Sequence, residues 1–448
     1  MRKFLVLLFL ISISQISSQP YPQEYLTYEE TVEKLKDIAE EHKDITQLSV
    51  IGNSYEGREI YLLKISDNPN LDEDEPEVLY MALHHAREVI TISVILGFIE
   101  HFVENYGNDP YITYLVDSRE LYFIPIVNPD GLIMVQSGVG DWRKNTHPPD
   151  GVDLNRNYGF KWGYDEVGSS SSPYSEVYRG EAPFSETEIQ AIREFALSRS
   201  PKISLSLHSF GGIVLYPWGF ERKHTKDNEL FRAIAEEITK KNGYGYGSVA
   251  DGAVYITNGD TDDWFYGELG VLAFTIEVYK STWDKAESVF DNFNPPPSEI
   301  HWVIEENLYP AIYLAEIADD PRRAFFPMEV EDELVRDGST TFNLMITNRS
   351  ESLIQVKLTH DSECELELST LKLELEPGDE VSFQVKISGG GCRTWIKATD
   401  QNGVQNSKLL VVGGESEKTN WYLLGAIIGF FFVFVIFTIL VLKRKRYI

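Results

Sequence analysis

His85 and Glu88 stand three residues apart in ALHHAREVIT (82–91), and a third group able to join them, His208, ends the run ISLSLH (203–208). Two imidazoles and one carboxylate form a donor set for a zinc-type ion, and three protein ligands leave a fourth position open for water. A further carboxylate, Glu277, ends the run LAFTIE (272–277) and is able to move a proton. His84 would pair at the same spacing with Arg87, a cation that cannot ligate, so the metal histidine is expected to be His85. The His-x-x-Glu spacing alone decides little. It recurs at His101/Glu104 and His360/Glu363, and nine histidines among 70 acidic residues supply such pairs by chance. His101/Glu104 falls late in a helical pattern, where residues three apart face the same way and make an ordinary surface pair. His360/Glu363 has no third ligand nearby in the sequence.

Ligands drawn from distant parts of a chain need a scaffold. TYEETVEKLKDIAEEH opens with a Thr27/Glu30 capping box, and Val32, Leu35, Ile38 and Ala39 then recur at helical spacing. Short apolar, β-branched runs follow at 46–51, 59–65, 78–83, 121–127, 203–208 and 272–277. Between them lie helical patterns at 91–106 and 227–242 and a second boxed start at Ser185/Glu188. This alternation predicts an α/β fold, a mixed and mostly parallel sheet flanked by helices. In such sheets ligands bind in the crevice beyond the carboxyl ends of the strands. His85 falls just past one predicted strand, and His208 and Glu277 each end another.

The α/β pattern stops near Asp319, which makes 20–320 one domain. From Phe325 the texture becomes period-two alternation (TTFNLMITN, LIQVKLTH, CELELSTLKLEL, PGDEVSFQVKI, RTWIKAT), which predicts a small β-sandwich over 325–412. NRS at Asn348 is a possible glycan acceptor, and LDEDEPE (71–77) reads as a solvated acidic loop, with calcium binding as its alternative. GGESEKTN (413–420) reads as a stalk, and Trp421–Leu442 carries no charge in 22 residues. Such a run reaches ~33 Å as a helix, enough for one membrane span. KRKR follows at once and places the tail (443–448) in the cytoplasm. At the other end, a basic start, an apolar run and small residues mark 1–19 as a signal peptide. The body is therefore expected outside the cell membrane on a single tether. The two cysteines, Cys364 and Cys392, then face the oxidising side and are expected to pair. A formal charge of −30 argues against nucleic acid as a partner and weakly suits cationic peptides, while 43% hydrophobic and 12% aromatic content exclude a disordered chain.

Six motifs, HHARE, DWRKN, GVDLNRNY, SLHSF, GAVYITNGDTDDW and FTIE, resemble in order and separation those of the zinc carboxypeptidases of the A/B type (funnelins), over about residues 24–320. The resemblance implies one Zn2+ held by His85, Glu88 and His208, with Glu277 as general base. It implies that Arg143 stabilises the oxyanion forming on the scissile carbonyl, with Lys144 a solvated neighbour. It further implies that Asn155 and Arg156 grip the substrate's terminal carboxylate, which suits the planar fork of arginine. Tyr255 would close over that end, and Asp153 would orient His85 through its other ring nitrogen. Arg87 would line the cleft as a secondary binding group, with a surface salt bridge as its alternative. The activity so implied is zinc-dependent hydrolysis of the C-terminal bond of peptides or proteins.

Asp262 falls where the B-type enzymes carry the aspartate at the base of the side-chain pocket, which implies a preference for C-terminal Lys or Arg. Asp260, two residues earlier, either adds to this or is the acidic determinant of a pocket with broader taste. Gly219 matches a position on the pocket wall. Little chain separates the signal from YLTYEE, so the inhibitory pro-segment of digestive relatives is expected to be absent and the protein to be made active. Two other readings remain open from sequence: a peptidase or amidase of the same fold acting on cell-wall peptides or acylated amino acids, and a cell-surface binding protein without catalysis.

Overall fold

Continuous runs of Val, Ile, Leu and Tyr suit strands covered on both faces. The computed structural model describes residues 21–280, 288–336 and 339–412, and it divides between Ala324 and Phe325 into two units. The signal segment, stalk, membrane span and tail expected from the sequence lie outside the described residues. Among the described residues no helix is long and apolar enough to cross a membrane.

The first unit runs α1 (Tyr28–Glu41), β1 (Thr46–Asn53), β2 (Glu59–Ile65), β3 (Glu77–Ala82), α2 (Ile90–Asn105), α3 (Pro110–Val116), β4 (Glu120–Ile124), α4 (Pro129–Gln136) and α5 (Thr187–Ser198). It continues through β5 (Ile203–Ser209), β6 (Ile213–Leu215), α6 (Asn228–Thr239), β7 (Gly245–Gly247), α7 (Thr261–Leu269), β8 (Leu272–Val278), α8 (Val289–Phe293) and α9 (Ile300–Ile317). The sheet order is β1-β2-β4-β3-β5-β8-β6-β7. Its centre, β4-β3-β5-β8, is parallel, and antiparallel pairs flank it on both sides. Every residue of β3, β4 and β5 is buried, which explains why these strands read as unbroken apolar runs. Helix α2 is buried on most of its circumference and packs on α9 so closely that a Cβ at Gly97 would lie 2.3 Å from Ile304 Cγ2.

The capping box of α1 is present: Thr27 Oγ1 accepts from Glu30 N at 3.2 Å and Glu30 Oε2 accepts from Thr27 N at 2.8 Å. The second box, at Ser185/Glu188, does not form. Ser185 Oγ accepts from Asn157 Nδ2 (2.9 Å) and donates to Glu186 (2.7 Å), and Glu188 turns inward toward Tyr55 N and Asn145 Nδ2, both at 3.4 Å. Burial, then the Glu186 charge, raises the Glu188 carboxyl to about 7. The acidic stretch 71–77 is exposed at Asp72 and Asp74, but its last residue, Glu77, opens β3 and is buried.

In the second unit β9 (Met328–Arg336), β10 (Ser339–Thr347), β11 (Ile354–Ser362), β12 (Glu365–Leu368), β13 (Lys372–Leu375), β14 (Glu380–Ser388), β15 (Cys392–Asp400) and β16 (Gln405–Val412) form two four-stranded antiparallel sheets, β12-β14-β10-β9 and β13-β11-β15-β16. Alternate residues of β10 and β14, among them Phe342, Leu344, Ile346, Phe383, Val385 and Ile387, form the core with Ile396 and Leu358. Cys364 and Cys392 are bonded, as expected, across 28 positions; a loop of that size restrains the unfolded chain by roughly 3–4 kcal/mol.

The glycan expectation at Asn348 meets a contrary arrangement. The side chain is fully buried; its Nδ2 donates to Ser352 O and Leu375 O, both at 2.8 Å, and its Oδ1 accepts from Ser350 N at 2.9 Å. A sugar on that nitrogen would break both donations. Mass spectrometry of protein from a glycosylating host is expected to show Asn348 unmodified, and Asn348→Ala is expected to lower the stability of this unit by about 2 kcal/mol in denaturant titration, because buried carbonyls lose their donor.

Candidate metal centre and substrate cleft

The turn after β3 makes a strand end into a pair of ligands. Leu83 takes a left-handed conformation (φ 58°), which costs a non-glycine residue roughly 1–3 kcal/mol. The chain then folds back so that Glu88 N donates to His85 O at 3.1 Å. Asn294 clamps the turn, accepting from Ile90 N and donating to Arg87 O, both at 2.8 Å. Held this way, His85 and Glu88 face the end of β5, which carries His208. Glu277 on β8 is the register partner of His208, so the two side chains leave neighbouring parallel strands on one face.

Three ligand atoms converge. His85 Nδ1 lies 2.8 Å from Glu88 Oε1, and His208 Nδ1 lies 3.0 Å from Glu88 Oε2 and 3.1 Å from His85 Nδ1. All three residues are at most 5% exposed. Four-coordinate zinc with bonds of about 2.0–2.1 Å sets its ligand atoms about 3.3 Å apart, so this donor set fits such an ion. Burial alone would raise the Glu88 carboxyl, but the His85 and His208 rings hold it well below the usual range. Burial lowers His208, against the pull of Glu88, and so favours the neutral ring that a ligand must be.

Behind the ligands, Asp153 Oδ1 lies 3.2 Å from His85 Nε2, and Asp153 Oδ2 accepts from Arg143 Nε (3.0 Å) and Nη2 (2.9 Å). Arg143 and His85 outweigh burial and keep Asp153 ionised. A cleft of about 560 Å³, including its open mouth, is lined by His85, His208, Glu277, Asn155, Arg156, Tyr255, Gly219, Asp260 and Asp262, with Trp218 and Leu215 as apolar wall. Burial first, then the Glu88 charge, raises the Glu277 carboxyl well above its ordinary range, with Arg143 and Arg156 opposing. Arg156 Nε and Nη1 donate to Gly168 O (3.0 Å) and Asn155 O (2.6 Å), which fixes the guanidinium plane. Tyr255 stands at the mouth, 62% exposed.

The three aspartates at the start of α7 are sorted by their donors. Asp260 is the N-cap, accepting from Asp263 N (2.9 Å) and from the Thr257 hydroxyl (2.5 Å). Asp263 accepts from Gly219 N and Phe220 N, both at 2.9 Å. Asp262 Oδ1 is buried with no hydrogen-bond partner among the described residues. Burial and then the Asp260 charge raise the Asp262 carboxyl well above its usual range, offset in part by Thr275. Gly219 is on the cleft wall, and a Cβ there would strike Thr257 Oγ1 at 2.2 Å and Asp260 Oδ2 at 2.7 Å, so glycine also lets the 257–260 loop close against it.

Two neighbours differ from expectation. Lys144 is not solvated: it is 2% exposed, and its Nζ donates to Asp150 Oδ2 (3.0 Å), Pro173 O (3.1 Å) and Ser175 O (3.0 Å), tying the loop before α5 to the segment that carries Arg143. Arg87 follows its alternative reading: it lies over the Phe293 ring (4.3 Å) and 3.6 Å from the exposed Glu176, and it is not among the described residues that line the cleft. His84, set aside from sequence as a non-ligand, is fully buried among polar partners, with Ser206 Oγ 3.2 Å from its Nδ1 and Tyr158 Oη 2.8 Å from its Nε2. Period-two spacing was the available signal for Ser206, which shares a strand face with His208.

Residues 31–310 match the family described as zinc carboxypeptidase, a span that contains every residue of the site. The chain belongs to the zinc carboxypeptidase family. It is 34% identical over 285 residues to a zinc carboxypeptidase of Saccharothrix mutabilis subsp. capreolus, a match covering 59% of this chain and 65% of that protein. It is 31% identical over 299 residues to carboxypeptidase B of Rattus norvegicus, covering 64% and 69%. Among solved structures, carboxypeptidase A from Helicoverpa armigera superposes with a TM-score of 0.59 at 27% identity, covering 66% of this chain and 73% of that one. Both A-type and B-type enzymes are thus similar to this zinc carboxypeptidase domain.

The pairing of His85 with Asp153 makes a measurable claim. Asp153→Asn is expected to weaken zinc binding 10–100-fold in chelator competition, because partners behind a ligating histidine carry that much affinity. Unchanged affinity would show that Asp153 serves Arg143 alone.

Proposed function

We propose that this chain is a zinc-dependent metallocarboxypeptidase that removes the last residue of peptides or proteins, with a preference for C-terminal Lys and Arg. The observation that carries the preference is the buried, unpartnered Oδ1 of Asp262 in a cleft that also holds Asn155 and Arg156. A terminal Lys or Arg presents an anion and a cation on one residue, and the cleft offers groups complementary to both.

His85, Glu88 and His208 would hold the zinc, which when bound would supply Lewis acidity for the carbonyl and the water. The protein's own groups do the rest. Asn155 Oδ1 accepts from Thr261 N (2.9 Å) and Thr261 Oγ1 (2.6 Å), so its amide nitrogen is left as a donor for an incoming carboxylate. Arg156 adds its charge to that grip. An internal peptide bond offers no free carboxylate, which restricts the reaction to chain ends. Arg143, held rigidly by Asp153, faces developing negative charge without reorganising, and a fixed donor of that kind is typically worth ~3–4 kcal/mol. Glu277 in its ionised form would take a proton from water and return it to the leaving amine, and the upward pull of burial on its carboxyl makes that ionised form a stronger base. Tyr255 is exposed in the open cleft and would fold over the bound end. The signal-like start and the uncharged run 421–442 support a catalytic body held outside the cell membrane by one span.

Rates on otherwise identical peptides ending in Lys, Arg, Leu, Phe and Glu test this directly. Asp262→Asn is expected to cut kcat/KM for Lys and Arg ends by about 10²-fold, since it strips the buried partner from a cation, and to spare Leu and Phe ends. An equal loss on all ends would move the specificity elsewhere. Glu277→Gln is expected to lower kcat by about 10²–10⁴-fold with zinc still bound, the usual effect of removing a general base; an unchanged rate would remove Glu277 from the chemistry.

A further inference from the structure

One arrangement of protons around His208 gives every buried donor of its ring, of Ser206 and of His84 an acceptor. Its Nδ1 faces Glu88 and His85, so as a metal ligand it carries a lone pair there and its ring proton sits on Nε2. Two polar atoms lie near Nε2: Ser206 Oγ at 3.1 Å and Asn155 Nδ2 at 3.4 Å. Asn155 cannot accept that proton. Its Oδ1 is committed to Thr261 N–H, an obligate donor, so the atom facing His208 is the amide nitrogen. The acceptor is therefore Ser206 Oγ. Ser206 has one proton to give and its other neighbour is His84 Nδ1, at 3.2 Å. That acceptance leaves the His84 proton on Nε2, donated to Tyr158 Oη at 2.8 Å. On the other side of His208, the Thr261 hydroxyl donates to Asn155 Oδ1 at 2.6 Å and so turns the Asn155 amide nitrogen the other way.

We propose that Ser206, His84 and Tyr158 are positioning residues, forming a one-directional hydrogen-bond chain that holds His208 in its ligating tautomer beside the Asn155 amide that Thr261 orients. This rests on the metal-site reading above. The members are almost completely buried: His84 and Tyr158 at 0%, Ser206, His208 and Thr261 at 1%, and Asn155 at 9%. Solvent therefore cannot replace a lost link, and a buried polar chain missing one member is left with an unsatisfied group. His208 Nε2 lies 3.4 Å from the Asn155 amide nitrogen, so a ring that shifts when the chain is broken disturbs both the metal centre and the carboxylate grip. A joint effect of that kind distinguishes a positioning role from simple packing, which would lower stability and leave each ligand's affinity alone.

Ser206→Ala in the full chain removes the acceptor, and Ser206→Thr keeps the hydroxyl. The expected result is a 10–100-fold weaker zinc affinity for Ser206→Ala in chelator competition, together with a raised KM for a peptide with a free C-terminus. Ser206→Thr should restore both values to within about threefold of wild type. Should a variant fail to fold, histidine-selective 15N spectra of the wild-type, zinc-loaded chain decide the matter: the protons of His208 and His84 are expected on Nε2. A wild-type chain that binds one zinc, with Ser206→Ala equal to it in affinity and KM, overturns the chain alone, as does a proton on Nδ1 of either ring. A wild-type chain that binds no zinc overturns the metal reading and this inference with it.

Discussion

Asp153 has no exposed surface, and removing a carboxylate from water costs several kcal/mol unless donors replace the solvent. Here the donors are themselves functional groups. Asp153 Oδ1 meets His85 Nε2 and also accepts from Asn155 N at 3.0 Å, while Oδ2 takes both Nε and Nη2 of Arg143. One anion thus sets the ring plane of a metal ligand, the direction of the Arg143 guanidinium and the start of the segment that carries Asn155 and Arg156. None of the three can shift without exposing the buried charge to a worse environment, and that is why the site can be rigid although its residues come from loops. The electrostatic balance follows. Glu88 and Asp153 are ionised anions facing Arg143, so Glu277, the next acid in, is the one whose charge the site resists.

The scaffold that delivers these groups was largely legible from the chain. Central parallel strands are covered on both faces, so β3, β5 and β8 appear as apolar runs, and a polar residue closing such a run marks the strand's carboxyl end. His208 and Glu277 could be placed at one edge on that ground alone. The period-two texture after Phe325 was as readable, because alternate residues face one core. What the pattern did not carry was the turn itself. Nothing local announces that Leu83 adopts a left-handed conformation, or that Asn294, more than 200 positions away, clamps the turn that presents His85 and Glu88.

The readings that failed share a physical cause. Lys144, Ser185/Glu188 and Asn348 are polar residues whose local context suggested solvent, a helix cap and a sugar. Each is instead buried or redirected by partners far along the chain: Pro173 and Ser175 for Lys144, Asn157 for Ser185, Tyr55 for Glu188, and Leu375 for Asn348. Apolar periodicity reports a free energy summed over many residues, whereas a single polar side chain is decided by whichever donor or acceptor the fold brings to it. His84 belongs with these. Its spacing partner, Arg87, excluded it from the metal, but its value lies in two opposite ring nitrogens able to pass a hydrogen bond from one hydroxyl to another.

The same reasoning bears on how sharp the side-chain pocket can be. Backbone donors already occupy Asp260 and Asp263, and only Asp262 keeps an oxygen without a partner. A carboxyl in that condition has two ways to escape its desolvation penalty: it meets a cation, or it takes up a proton, the direction in which burial and the Asp260 charge already push it. With a basic residue in the pocket the first route operates, and the pair gains the full interaction of two poorly solvated charges. With an apolar residue the second route lets the acid become a neutral hydrogen-bonding group at modest cost. Under the proposed preference, selectivity built this way would reward Lys and Arg more than it punished Leu or Phe, and the reward would shrink as rising acidity protonated Asp262 in the empty pocket. A pocket needing strict exclusion would hold its carboxylate charged with several fixed donors, as Asp153 is held, whereas Asp262 is helped by Thr275 and leaves Oδ1 unpartnered.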